Sequence, residues 1–381
     1  MMQLADQGGN GRTRKYVLSG YYGFKNSGDE AVLKSILTAL EQEALARGES
    51  VEPIVLSSDP EWTKNQYGVD AVHRMKLGEI WSALRKSDGL ISGGGSLLQD
   101  ATGLGSIPYY LGIMEMARWC GKPTFVYAQG IGPVNRGVYR WPISRAFRKA
   151  KYVSVRDEES AELLRRFGVP MTGIAVVPDP VMGLPLAGSA EVPEESAKEA
   201  RSTDATPIVG VSVRFWRGDR ADLDRIADAL GALAGLRSVR LRFLPFHRGA
   251  DDDASRYVME RLGGAAPVEL APAYEDPQRM LQEVSRCDLL FGMRLHSLIY
   301  AANRGLPLLG LSYDPKIDQF LRRLGQKAVG STEALDPKRF AEQAAKLLDD
   351  PERWRQSAGS AIERLKREAV EPAQRILAYI R

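Results

Sequence analysis

Cysteine is nearly absent. Cys120 and Cys287 are the only two in 381 residues, and neither sits in a metal-binding or redox spacing. Two lone thiols exclude a disulfide framework and fit a reducing cytosol. Long apolar runs are missing as well, because charges and prolines interrupt every stretch that would approach the length of a membrane span. No secretory apolar segment opens the chain: MMQLADQGGNGRTRK is polar, and residues 1–14 read as a disordered tail. A strong excess of one charge is also lacking. Lys and Arg number 52 against 48 Asp and Glu, a net charge of +4, too mild for a nucleic-acid binder, and no basic stripe with interleaved aromatics stands out. An anionic substrate, or an anionic membrane surface nearby, is compatible with that balance. No short repeat is present.

What the chain does have is 44% hydrophobic residues, enough for two packed domains. Short apolar strands alternate with amphipathic helical segments. KYVLSGYYG runs into a Gly/Asn/Ser turn and then DEAVLKSILTALEQEALARG; VEPIVLSS, DGLISGGG, KPTFVYAQG and KYVSVRD follow, each separated by a helical stretch. This pattern predicts parallel βαβ units rather than a sandwich. Composition shifts at Leu184–Pro207, rich in Ala, Ser, Glu and Pro, and the alternation then restarts with PIVGVSVRF, VRLRFLPF, DLLFGM and LPLLGLS. The expected organisation is an α/β protein of two Rossmann-like domains facing across a cleft. Residues 15–183 form the first domain, 184–206 a linker or surface loop, and 207–381 the second. The halves echo one another: Asp88–Gly95 and Asp288–Met293 are both strand-to-loop units followed by a helix and Gly-x-Pro.

In open α/β sheets ligands sit beyond the carboxyl ends of the strands, at helix N-termini. Four segments fall there. In YYGFKNSGDEAVL, Ser27 with Glu30 reads as a capping box, and Asp29 faces the cleft, where it can hydrogen-bond or deprotonate a sugar hydroxyl. In LISGGGSLLQD, three consecutive glycines allow a close backbone approach to a ligand, although the segment is neither a phosphate loop nor a dinucleotide fingerprint. YAQGIGPVNR offers Gln129 as a donor and Arg136 as the nearest cation. In CDLLFGMRLHSLIYAANRGLP, Arg294 and His296 interrupt an apolar strand-and-helix segment, and no acid lies between Asp288 and Asp314 to pair with them. Their expected partner is a ligand anion, best a phosphate, with a carboxylate from the other domain as the competing reading. Lys316, in the first turn of a helix capped by Asp314, and Arg214 and His247, at the ends of GVSVRF and FLPFH, extend this cationic wall.

The ordered set GYYGFKNSGDEAVL, ISGGGSLLQD, YAQGIGPV, VSVRDEES, VPDPV and GMRLHSLIYAANRGLPLLGLSYDPK resembles the polysaccharide pyruvyl transferase family over residues 16–330, most nearly the bacterial members that modify a secondary cell wall polymer. The resemblance implies a GT-B-like fold and phosphoenolpyruvate as donor. The acceptor it implies is a sugar, often N-acetylmannosamine on a lipid-linked precursor, which becomes a 4,6-linked pyruvate ketal with release of phosphate. It places Arg294, His296 and Lys316 at donor positions, with Arg136, and by their location Arg214 and Ser297, beside them. Asn26, Gly28, Asp29, Gly94, Gly95, Ser96 and Gln129 would line the acceptor side. His296, Arg294 and Asp29 are the catalytic candidates. No cofactor or metal is implied, no nucleic acid is expected as a partner, and the expected location is the cytoplasm, with peripheral contact to the inner membrane face. Two other readings remain. One is a GT-B enzyme acting on a nucleotide sugar, although Tyr300 stands where such enzymes carry a ribose-binding Glu in Ser/Thr-x-x-Glu-Ala-x-x-x-Gly-x-Pro. The other is a non-catalytic protein that binds sugar or phosphate.

Overall fold

The computed structural model describes residues 12–100, 103, 105–187 and 206–379. Its contacts divide the chain into two compact units. The first holds the residues up to Phe24, Val32–Pro180 and the residues from Glu368 on; the second holds Lys25–Ala31 and Val181–Arg367. The division therefore falls a few residues before the expected linker, and two short segments belong to the unit that the order of the sequence would not assign them.

The first unit is built on β1 (Thr13–Tyr22), β2 (Ser50–Ser57), β3 (Asp70–His73), β4 (Gly89–Gly93), β5 (Ser96–Leu98), β6 (Thr124–Ile131), β7 (Tyr152–Val155) and β8 (Ile174–Val176). The helices among them are α1 (Ser27–Ala46), α2 (Pro60–Tyr67), α3 (Leu77–Lys86), α4 (Ser106–Trp119), α5 (Arg140–Lys149) and α6 (Glu158–Arg166). The strands pair in parallel in the order β3-β2-β1-β4-β6-β7-β8, with β5 on β6. β4 and β6 are buried along their whole length, which is why GLISG and TFVYAQGI read as continuous apolar runs rather than alternations. Val17, Leu90, Val126 and Val153 share one face and pack on α3, α4, α5 and α6. β1 begins at Thr13, so residues 13 and 14 are strand and not tail: Arg14 is buried and pairs with Glu49 at 2.9 Å. The remainder of the expected tail, apart from Arg12, lies outside the described residues.

The second unit repeats the plan with β9 (Ile208–Ser212), β10 (Arg240–Phe243), β11 (Val268–Leu270), β12 (Leu289–Gly292), β13 (Leu308–Ser312) and β14 (Gly330–Ser331). Its helices are α7 (Ala221–Leu236), α8 (Ala250–Leu262), α9 (Pro277–Ser285), α10 (Leu295–Asn303), α11 (Pro315–Arg323), α12 (Pro337–Asp349) and α13 (Pro351–Ala378), the last of which belongs to the first unit from Glu368 on. Strand order is β11-β10-β9-β12-β13-β14, the doubly wound order with its reversal between β9 and β12. Val209, Val211, Phe243, Phe291 and Leu311 pack against α7, α8 and α12. On the other face a side chain at Gly210 or Gly310 would collide with Cys287 or Leu321, so these glycines admit helices close to the sheet.

The internal echo has a structural counterpart. Asp88 accepts the amide of Lys15 at 2.8 Å, and Asp288 accepts the amide of Ile208 at 2.8 Å. In each unit one aspartate locks the start of the central strand to its neighbour across the switch point. No helix among the described residues is long and apolar enough to cross a membrane.

The start of the expected linker is not loose. Val181, Met182 and Leu184 are buried, and the Asn303 Nδ2 at the end of α10 donates to their three carbonyls at 2.9–3.0 Å. Gln278 brackets the next turn, donating to Pro185 O at 2.9 Å and accepting from Ala187 N at 2.8 Å. Residues 188–205 lie outside the described residues. Asn303→Leu removes the shared donor from buried carbonyls and is expected to destabilise the protein by about 1–3 kcal/mol. Urea unfolding measures this, and a loss below about 0.5 kcal/mol would mean that the carbonyls find other partners.

Candidate active site

The reversal of strand order in the second unit decides where its charged residues meet. Ser212 of β9 lies in register with Gly292 of β12, Met293 N donates to Ser212 O at 2.9 Å, and Arg214 N donates to Met293 Sδ at 3.3 Å. Two residues beyond that rung, Arg214 and Arg294 leave neighbouring strands at the same level, where the chains diverge and backbone amides open towards a ligand.

Arg294 is the N-cap residue of α10, held in extended backbone (φ −90°, ψ 129°). Its guanidinium binds Asp251 Oδ1 in an ion pair. Asp251 is fully buried in the first turn of α8, and its other oxygen accepts the amides of Phe246 (3.1 Å) and His247 (2.9 Å). This corrects the expectation that Arg294 lacks an acid in its own domain. The partner comes from 43 residues earlier in the chain, because β10 and the α8 that follows it pack beside β9, so a search confined to residues 288–314 could not find it. Arg294 keeps one open edge: its Nε is buried with no hydrogen-bond partner among the described residues.

Arg214 behaves differently. It forms no ion pair among the described residues. Its Nη1 donates to the Tyr313 hydroxyl at 3.3 Å, its guanidinium lies 5.6 Å from the rings of both Trp216 and Tyr313, and its Nε is buried without a partner. Aromatic faces hold a guanidinium in place without neutralising it. Arg214 is therefore the uncompensated cation of the switch point, and Arg294 is the oriented donor beside it.

His296 follows in the first turn of α10, and what packs against it is the start of α1. Gly28 is helical and has no positive φ, so conformational freedom does not explain it there, and alanine would be the better helix former by about 1 kcal/mol. Close approach does explain it: a Cβ on Gly28 would lie 2.6 Å from His296 Cε1 and closer still to Nδ1. The turn itself is capped one residue earlier than expected. Asn26 Oδ1 accepts from Gly28 N (3.1 Å) and Asn26 O from Glu30 N (2.9 Å), whereas Ser27 Oγ is buried without a partner among the described residues. Glu30 does reach back, but to Lys25 N at 3.2 Å. Asn26, Gly28 and Asp29, expected on the acceptor side of the first domain, thus belong to the second unit, and Gly28 lies against His296.

The other expected residues fall in two groups. In the second unit, Lys316 lies in the first turn of α11, its amide held by Asp314 Oδ1 at 3.0 Å. Ser297 is buried and donates to Arg294 O at 2.7 Å, fixing the first turn of α10, and His247 is exposed at the end of the β10 segment. In the first unit, Gly94 and Gly95 both have φ +70°, and a side chain on Gly94 would strike Val32. Ser96 Oγ accepts from Arg156 Nη2 at 2.7 Å. Gln129 is buried, and its Nε2 has no partner among the described residues. Arg136 is exposed in a loop whose amides, with that of Asn135, bind Asp100. The Asn135 amide first, then that of Arg136, holds the Asp100 carboxyl below the ordinary range.

Sequence reasoning missed Asp251, and it gave no role to Arg156 and Asp179. Arg156, nearly buried at the end of β7, lies 3.6 Å from Asp179 and 3.7 Å from Asp157. The signal was available: VSVRD and VPDP place a charge directly after an apolar strand, as GMR does for Arg294. Asp251→Ala should cost about 3 kcal/mol of stability, since it strands a largely buried guanidinium, and Gly28→Ala should displace the imidazole while the fold survives. Thermal melting and the chemical shifts of the His296 ring check both. An unmoved imidazole in Gly28→Ala would mean the contact relaxes elsewhere.

Over nearly the full length of both chains, the fold is similar to a UDP-GlcNAc 2-epimerase from Neisseria meningitidis (13% identity, TM-score 0.59, covering 97% of this chain and 100% of that one). It is also similar to a UDP-GlcNAc 2-epimerase from Methanocaldococcus jannaschii (10%, 0.62, 93% and 98%) and a glycosyltransferase from Rickettsia africae (11%, 0.63, 97% and 97%). At such identities the likeness shows the fold, an α/β, GT-B-like one, and nothing more. No curated protein sequence matches. The family model for polysaccharide pyruvyl transferase matches residues 26–315, from the Asn26 cap of α1 to the first turn of α11, and with more than half of its length so matched the chain belongs to the polysaccharide pyruvyl transferase family.

Proposed function

We propose that the protein moves pyruvate from phosphoenolpyruvate onto a sugar as a 4,6-ketal with release of phosphate, in the manner of the CsaB-like members of the family. The acceptor on this reading is an amino sugar, N-acetylmannosamine, of a lipid-linked cell wall polymer precursor. The observation that supports it most is the pairing of a compensated and an uncompensated arginine at one switch point. Phosphoenolpyruvate carries a phosphate and a carboxylate, and it needs net positive charge as well as fixed donors. Arg214 supplies the charge, the Arg294 Nε supplies an aimed donor, and Lys316 adds a point charge from the next helix. Arg136 is the donor-side candidate of the first unit on the same reading. No cofactor is invoked.

A proton delivered to the methylene carbon makes the central carbon electrophilic, and one sugar hydroxyl adds there. The second hydroxyl then displaces phosphate, breaking the C–O bond to the leaving group and closing the ring. Of the two hydroxyl protons released, one balances the proton taken up by carbon and the other leaves with phosphate. His296 is the group suited to donate to carbon or to the departing phosphate, and Asp29, one residue past the Gly28 contact, is suited to accept from a sugar hydroxyl. Gly94, Gly95, Ser96 and Gln129 are the acceptor-side candidates of the first unit in this reading.

The nucleotide-sugar alternative meets a physical obstacle. Tyr300, at the position of the ribose-binding Glu, is fully buried and packs edge-on against Phe246 at 5.4 Å, so that position presents no group to a ribose.

Phosphate release from phosphoenolpyruvate, with a panel of lipid-linked amino-sugar acceptors, tests the reaction; no release with any of them would overturn it. His296→Ala is expected to lower turnover by roughly 10²–10⁴-fold at unchanged melting temperature. Arg214→Ala should raise the apparent donor constant by about tenfold or more, with only partial recovery in Arg214→Lys, since a guanidinium held between aromatic faces is not replaced by an ammonium. A donor constant that is the same in both Arg214 variants and the wild type would remove this residue from the site.

A further inference from the structure

The first unit carries a feature that pyruvyl transfer does not use. Between Arg136 and Lys151 the sequence RGVYRWPISRAFRKAK contains no acid. α5, at its centre, is amphipathic. Ile143, Ala146 and Phe147 are buried in the core, while Arg140, Trp141, Arg145, Arg148 and Lys149 are exposed. Many exposed cations of this protein are paired at i,i+3 or i,i+4, as Arg165 is with Glu162. Arg140, Arg148, Lys149 and Lys151 form no ion pair among the described residues. Glu115 of α4 is already occupied by Arg118 (2.5 Å) and Arg145 (3.6 Å).

Large apolar side chains stand out among these cations. Trp141 is 70% exposed and Val138 72%, and Trp119, at the end of the neighbouring α4, is 72% exposed. Two cavities flank the helix. One, of about 420 Å³, is lined by Arg140, Trp141, Arg148, Lys149, Arg166 and Phe167, among others. The second, of about 370 Å³, is lined by Lys122, Lys149, Lys151 and Tyr379, among others. Lys149 belongs to both, so the basic surface is continuous.

We propose that this face, formed by α5 with the end of α4, docks on an anionic phospholipid bilayer. Indole rings that project outward among basic residues suit the headgroup boundary, where the ring enters the apolar edge and the cations meet the negative surface potential. A nucleic acid would engage the cations equally well but would leave Val138 and the outward tryptophans in water. The face is carried by Trp119, Val138, Arg140, Trp141, Arg148 and Lys149, none of which is assigned to chemistry, and the proposal stands whether or not the pyruvyl-transfer reading holds.

The test is flotation of the full chain with vesicles of phosphatidylcholine alone and of phosphatidylcholine with phosphatidylglycerol. Binding is expected only to the anionic vesicles, with a blue shift of tryptophan emission. It should be lost between about 0.1 M and about 1 M salt, as the screening length falls from about 10 Å to about 3 Å. The exposed-site variant Arg140→Glu/Arg148→Glu/Lys149→Glu should weaken binding by on the order of a hundredfold or more, at unchanged melting temperature and unchanged phosphate release in solution. Trp119→Ser/Trp141→Ser should abolish most of the blue shift while leaving salt-sensitive binding. Equal binding to neutral vesicles, undiminished binding by the triple variant, or binding to an oligonucleotide without binding to vesicles would overturn the proposal.

Discussion

The second unit turns on one buried carboxylate. Asp251 accepts two consecutive backbone amides at the end of the β10 segment, starts α8, and binds the guanidinium of Arg294 across the sheet. A fully buried acid is tolerated only when its lone pairs are taken, and here all three tasks are met at once. The loop after β10, the first turn of α8 and the cap of α10 cannot be moved independently. The position of Arg294, and through it the start of the helix bearing His296, is a consequence of that constraint.

The same pairing has an electrostatic consequence. A guanidinium bound to a carboxylate contributes little net charge at a distance, yet it remains a rigid fork of donors, of which the Arg294 Nε has no partner among the described residues. Geometry and charge are thus supplied by different residues. Arg294 contributes direction, and Arg214, bounded by Trp216 and Tyr313, contributes the positive potential. A doubly anionic ligand is served better by this division than by two bare arginines, whose mutual repulsion at neighbouring strand ends would have to be offset each time the site emptied.

Much of this was legible in the sequence. Alternating apolar strands and amphipathic segments, Asp88 echoed by Asp288, and Arg294 and His296 intruding on an apolar run pointed to two Rossmann-like units with charge at a strand end. What was not legible depends on contacts between distant segments. The acid partner of Arg294 is invisible to a local search, because parallel sheets bring together residues a whole βαβ unit apart. Gly28 reads as an indifferent helix residue until His296 is seen against it. Assignment of Lys25–Ala31 to the second unit and of the residues from Glu368 on to the first reverses the order of the chain, and no compositional shift marks either place. The first residue of the expected 184–206 linker is fixed for a related reason: Leu184 is buried, and its carbonyl, like those of Val181 and Met182 before it, is held by Asn303, more than a hundred residues later.

Averages conceal what local arrangement reveals. A net charge of +4 over 381 residues is unremarkable, and RWPISRAFRKAK does not stand out as a basic stripe with aromatics because its cations are interspersed with core positions. Folding α5 sorts them: the residues at helical spacing that complete the core turn inward, and the remainder, with Trp141 among them, gather on one side. The site chemistry follows the same logic at a smaller scale. Arg294 and Arg214 carry the same charge in sequence, and only the positions of Asp251 and of the two aromatic rings make one an oriented donor and the other the source of positive potential.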